Sequence, residues 1–254
     1  MRLASQPFQR ILACLGLAAC LAITAPAQAE TLRVGATATG IPFTFLDVKS
    51  NTIQGMMVDT AQAVGKAAGF DTTIQQTGFA ALIPSLTSNK IDFVSAAMLK
   101  TPAREEVVAF SEPVYSYGEG LIVAANDDAA YTTLDALAGE VVGAQVGTVF
   151  LDRLKQMGIF KEVRSYDSVA DMTRDIALGR IKAGVGDQPI IAYQIAQNTF
   201  TGVKLAPDFE PANVGDVCLV VRKEDTALLE RLNQAIAQIK ADGTLDAIVL
   251  KWGI

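Results

Sequence analysis

From residue 32 onward the chain alternates strand-like runs with helix-like segments, and that order admits few folds. Residues 32–36 read as a strand, 58–68 as a helix closed by Gly69, 72–76 as a strand and 81–88 as a helix. A buried-type strand at 91–95 precedes a short helix from Pro102, and 118–125 is an extended apolar run. After the polar, turn-rich stretch 126–133 a second series begins. Strands 141–145, 162–165 and 183–186 alternate with helices 150–157, 169–178 and 190–196. A loop-rich stretch with Pro207 and Pro211 leads to strand 217–221. Leu228, Leu232, Ile236 and Ile239 then mark one stripe of an amphipathic helix, and a last helix runs to about residue 251. This order predicts an α/β protein of mostly parallel sheets flanked by helices, large enough for two lobes.

The first 29 residues stand outside that pattern. Arg2 and Arg10 precede an apolar stretch too short to span a membrane comfortably, and Ala27-Gln28-Ala29 is a small-x-small cleavage site. They read as a secretory signal peptide, which predicts a periplasmic protein. Leu17-Ala18-Ala19-Cys20 also resembles a lipoprotein box, which would leave Cys20 acylated. Without residues 1–29 the balance is 19 positive against 27 negative side chains, which argues against nucleic acid or an anionic membrane as partner. Only Cys218 then remains, so an internal disulfide is excluded, and its apolar surroundings predict an inert buried thiol. The sequence has no histidine, which removes Ser-His and Cys-His catalysis and the usual zinc sites; no metal or cofactor is expected.

The candidate binding residues lie near strand ends, where open α/β sheets hold ligands. Thr101 and Pro102 open a short helix, and Arg104 sits in its first turn, where a cation opposes the helix dipole. Two readings are open: a guanidinium placed to grip a carboxylate with two hydrogen bonds, or a surface arginine paired with Glu105 or a neighbour. Thr148 reads as a helix cap, and the exposed N–H groups there, including that of Val149, suit an anion. Asp187 ends a strand and can cap the next helix or face a ligand. Phe79 can pack in the core or wall a pocket. Gln145 ends its strand and can hydrogen-bond into a cleft.

Several segments together resemble one family. Thr101-Pro102-Ala103-Arg104 followed by Phe110-Ser111-Glu112-Pro113-Val114-Tyr115 is similar to a signature of the solute-binding proteins that serve polar amino-acid ABC importers. Leu32–Gly35 in sequence (LRVG), Pro42-Phe43, Gly55 with Asp59, the run 79–92, Gln145-Val146-Gly147-Thr148, the run 179–187, and the segments 239–243 and 251–253 follow in family order. The resemblance implies a two-lobed periplasmic-binding-protein fold of type II with a ligand cleft between lobes. Lobe one would be 30–115 with 217–254, and lobe two 118–213. It implies a monomeric binder of an amino acid or related small carboxylate that delivers its ligand to the importer's membrane subunits. Arg104 would take the ligand carboxylate with the turn at Thr148 and Val149, Asp187 its ammonium, and Phe79 one face of the side-chain slot. Ala97 and Leu99, with Gln145, Thr37 and Gly40, would complete the lining. Three positions depart from the family pattern. Gly40 stands where an aromatic is common, which would leave room for a bulkier group; Leu99 replaces a hydroxyl; Thr37 replaces an acid. These departures leave open a ligand with a substituted amine, or a carboxylate without an α-ammonium. A contrasting reading is an enzyme similar to the cyclohexadienyl dehydratases, for which Asp187, Glu119 and Glu112 are the candidate acids.

Overall fold

The computed structural model describes residues 30–212 and 214–254. The predicted signal peptide, its cleavage site at Ala29 and the alternative acylation site Cys20 lie outside the described residues.

The first elements are strands β1 (Thr31–Ala36), β2 (Thr39–Gly40), β3 (Thr44–Asp47) and β4 (Thr52–Gln54), then helix α1 (Met56–Ala68) and strand β5 (Asp71–Gln76). A 3-10 turn at Phe79–Ala81 runs into α2 (Leu82–Thr87), followed by β6 (Phe93–Val94), α3 (Pro102–Glu105) and the long strand β7 (Val108–Ala124). Next come β8 (Val141–Gln145), α4 (Val149–Met157), β9 (Glu162–Tyr166), α5 (Val169–Ala177), β10 (Ala183–Asp187), α6 (Gln188–Ala196) and β11 (Val203–Leu205). Strand β12 (Val214–Arg222) and helices α7 (Thr226–Ala241) and α8 (Thr244–Trp252) close the chain.

One sheet runs through these elements in the order β5-β1-β6-β12-β7-β10-β8-β9, with β11 also on β7. Pairing is parallel from β5 through β6 and from β10 through β9, as the alternation predicts. The centre is antiparallel, because β7 pairs antiparallel with β12, β10 and β11. β7 is 17 residues long and changes partner along its length. Residues 108–118 face β12, and 119–124 face β10 and β11. Pro113 offers no N–H, and the β12 register slips beside it at Cys218. That local irregularity hides the strand from a reading of sequence periodicity.

Both series of elements pack around apolar faces that the sequence period predicts. Leu232, Ala235, Ile236 and Ile239 of α7 are buried, and α7 lies against α1 and its Ala61 and Val64. The last helix returns to the same region. Lys251 Nζ and Trp252 Nε1 donate to Asp59 on α1 at 2.6 and 2.8 Å. Cys218 is fully buried on β12, and burial pushes its thiol pKa up to about 12, in keeping with an inert sulfur. The small hairpin sheet β2-β3-β4 is absent from the sequence reading, since its strands are too short and polar to show a period.

Candidate functional site

A cavity of about 20 Å³ is lined by Thr37, Gly40, Phe79, Ala97, Gln145 and Asp187, together with Phe43, Thr44 and Ile190. Six of the ten residues singled out in the sequence therefore meet in one place. They come from the loops after β1 and β6, from β2 and from the 3-10 turn at Phe79–Ala81 on one side, and from the ends of β8 and β10 on the other.

Arg104 is not one of the lining residues but stands beside one of them, Phe79. Thr101 caps α3 by accepting the Arg104 N–H at 3.3 Å, which fixes where the arginine leaves the backbone. Its guanidinium lies over the Phe79 ring, 5.8 Å from the centroid. Nη1 donates to the Leu99 carbonyl at 2.6 Å, and Nη2 to the Gly147 carbonyl at 3.0 Å. The paired-surface reading does not hold, because Glu105 pairs with Lys100 at 3.0 Å instead. Burial lowers the Arg104 pKa, and Tyr117, Asp187 and Asp152 partly oppose that effect. Among the described residues its hydrogen-bond acceptors are neutral carbonyls. A partly buried guanidinium bonded only to carbonyls retains its attraction for an anion.

Asp187 ends β10 inside the cavity. It makes no side-chain cap to α6, so the capping alternative is set aside. Its Oδ1 accepts a hydrogen bond from the Tyr117 hydroxyl on β7, which also lies 3.1 Å from the Ala97 carbonyl. Burial pushes the Asp187 pKa up to about 6, against the lowering effects of the Tyr117 hydrogen bond, of its own backbone N–H and of Arg104. Sequence reasoning missed Tyr117, which is 5% exposed. Its one signal was a tyrosine within a buried strand, which needs a partner for its hydroxyl.

The remaining candidates divide. Thr37 shares a hydroxyl–hydroxyl bond of 2.6 Å with Thr44, and Gln145 donates to the Asp167 carbonyl at 2.9 Å. A Cβ at Gly40 would lie 3.4 Å from Ile190 Cδ1, which faces it across the cavity. Thr148 is a cap, accepting from Leu151 N at 3.3 Å and donating to the Gln145 carbonyl at 2.7 Å, and it does not line the cavity. Leu99 and Val149 line a separate space of about 400 Å³ beside Lys100, Glu119 and Arg153. The Leu99 side chain points toward Gly215 on β12. Of the other two acids, Glu119 is held by Arg153 and the Ala212 N–H, and Glu112 is exposed.

Residues 32–254 match the bacterial extracellular solute-binding proteins, family 3. The chain belongs to that family. ABC transporter arginine-binding protein 1 of Escherichia coli (strain K12) is 33% identical over 225 residues, 88% of this chain and 91% of that protein. The L-cystine-binding protein TcyJ of the same organism is 30% identical over 222 residues, covering 87% and 82% of the two chains. The structure of an ancestral arginine-binding protein bound to arginine superposes with a TM-score of 0.81 at 32% identity, covering 89% of this chain and 99% of that one. The family 3 solute-binding protein described here thus has the α/β periplasmic-binding-protein fold and serves an ABC transporter as its binding component. The relatives named above are binding proteins, which favours binding over the dehydratase reading.

Proposed function

We propose that this family 3 protein binds an amino acid or a related small carboxylate in the cavity between Arg104 and Asp187. The observation that carries this reading is that Asp187 lines the cavity while the Arg104 guanidinium lies over Phe79, another of its lining residues. Arg104 offers a guanidinium whose present acceptors are neutral, and Asp187 offers a carboxylate. A ligand carboxylate replaces the Leu99 or Gly147 carbonyl at the guanidinium, and a ligand amine adds to Asp187. The curated relatives named for arginine and cystine make those two the first probes.

In this reading the two halves of the sheet are lobes, 30–115 with 217–254, and 118–213. The change of partners along β7 and the return of Lys251 and Trp252 to Asp59 support that division. The protein works as a monomer in the periplasm after cleavage at Ala29, and its closed form docks on the importer's membrane subunits.

A thermal-shift screen against amino acids and small carboxylates tests the reading, since a ligand at 100 times its Kd adds about 2.7 kcal/mol of stability. Arg104→Ala is expected to cost about 2–4 kcal/mol of binding by calorimetry. Arg104→Lys is expected to recover little of it, because an ammonium lacks the planar fork. Native affinity in Arg104→Ala would refute the assignment.

A further inference from the structure

We propose that Tyr117 is a positioning residue for Asp187, holding it as the charged acceptor of the cleft and keeping it bonded in both of its protonation states; this rests on the reading of the cavity as a ligand site. The geometry is a short chain of three groups. The Tyr117 hydroxyl lies within hydrogen-bond distance of Asp187 Oδ1 and, at 3.1 Å, of the Ala97 carbonyl. A phenol has one proton for these two acceptors. When Asp187 is ionised, the proton points to the carboxylate. When Asp187 takes a proton from solvent, the carboxyl donates to the phenol oxygen, and the phenol proton turns to the Ala97 carbonyl. Neither state strands a buried polar atom, and neither needs a side chain to move.

The ring is fixed independently of its hydroxyl. Phe43 and Tyr115 pack beside it, with centroids 5.7 and 6.5 Å away. Removing the oxygen therefore leaves the packing and deletes only the donor. Apart from the Asp187 backbone N–H, the groups around Asp187 leave that donor without a substitute. Glu119 is its cross-strand neighbour on β7 but is tied to Arg153 of α4 and the Ala212 N–H. Arg104 of α3 acts at a distance and makes its own bonds to the Leu99 and Gly147 carbonyls, with Asp152 of α4 near it. The remaining lining, Phe43, Phe79, Thr37, Thr44, Gln145 and Ile190, carries no charge. Among the described residues Tyr117 is the side chain that donates to Asp187. Without it, burial acts unopposed by any direct hydrogen bond from another side chain, and the ionised carboxylate loses to the protonated form.

The experiment is a carbon-13 carboxyl titration of the ligand-free protein, with aspartate and tyrosine labelled. Asp187→Asn assigns the resonance. In the wild type one aspartate is expected to titrate near pH 6, and the Tyr117 ring carbon bearing oxygen is expected to follow the same midpoint. In Tyr117→Phe the Asp187 midpoint is expected to move upward with the fold intact by circular dichroism. An unchanged midpoint in Tyr117→Phe would overturn the proposal. If that variant does not fold, the wild-type Tyr117 signal decides: a flat response through the Asp187 transition would overturn it. Arginine calorimetry adds a separate readout. Tyr117→Phe is expected to bind roughly tenfold more weakly at pH 7, the loss shrinking as pH rises past the new midpoint. Failure of arginine to bind the wild type would count against the proposed ligand class and leave the carboxyl titration to judge Tyr117.

Discussion

At the scale of single residues, the informative signals were charges in positions that local structure does not favour. Arg104 stood out as a cation in a first helical turn; the structure makes α3 a single turn, so the dipole no longer sets Arg104 apart, but it places the guanidinium over Phe79. Tyr117 could not be found that way. Its partner Asp187 lies 70 residues along the chain, and no local spacing connects them. Leu99 shows a related limit: a motif gives a residue's place but not which way its side chain turns, and here it turns toward Gly215. Asp187 also carries a prediction about stability. Its folded pKa is raised to about 6, above the ordinary carboxylate value. Between about pH 4 and 6 the folded protein therefore holds a proton that the unfolded chain has released, so this group's contribution falls as pH rises through that window. Asp187→Asn is expected to stabilise the ligand-free protein at pH 7 and to flatten that part of the profile, as read by urea denaturation at several pH values. A larger loss of stability at pH 7 than at pH 4 would contradict this.

Among elements, helices with a clear apolar stripe were legible and irregular strands were not. Helix α7 shows its stripe plainly, and Leu232 within it is fully buried against the core. Leu232→Ala is expected to cost about 2–5 kcal/mol by the midpoint of denaturant unfolding, through lost burial and a residual cavity. A cost under about 1 kcal/mol would show that neighbouring side chains close the gap. Strand β7 is the opposite case. Its first half carries Ser111, Glu112 and Pro113, which read as loop, and only pairing with β12 holds them extended. The hairpin sheet β2-β3-β4 escaped notice for the same reason: its hydrogen bonds come from neighbours, not from propensity.

For the whole molecule, the alternation of elements announced the layered α/β architecture, while the return of the C-terminal helices to α1 was expected from the resemblance alone. One close approach between the proposed lobes is made at a small residue. Gly147 adopts a positive φ of 78°, and a Cβ there would lie 2.8 Å from the Ala80 Cα. Gly147→Ala is expected to hold the cleft wider, seen as a larger radius of gyration in small-angle scattering and a weaker affinity for the ligand. Wild-type scattering and affinity together would rule out Gly147 as the point of closest approach.

The same division gives β7 and β12 a mechanical role. Where the chain passes between the two halves, Ser116, Tyr117 and Gly118 of β7 are paired with Asp216, Gly215 and Val214 of β12, and Ser116 Oγ donates to Asp216 at 2.7 Å. Two separate tethers would let the halves slide and swivel in many directions. A laddered pair behaves as a leaf spring: it flexes and twists but resists extension and in-plane shear. Such a joint narrows the accessible motion toward one coordinate, so that whatever docks on the outer faces reads the state of the cleft as a single angle.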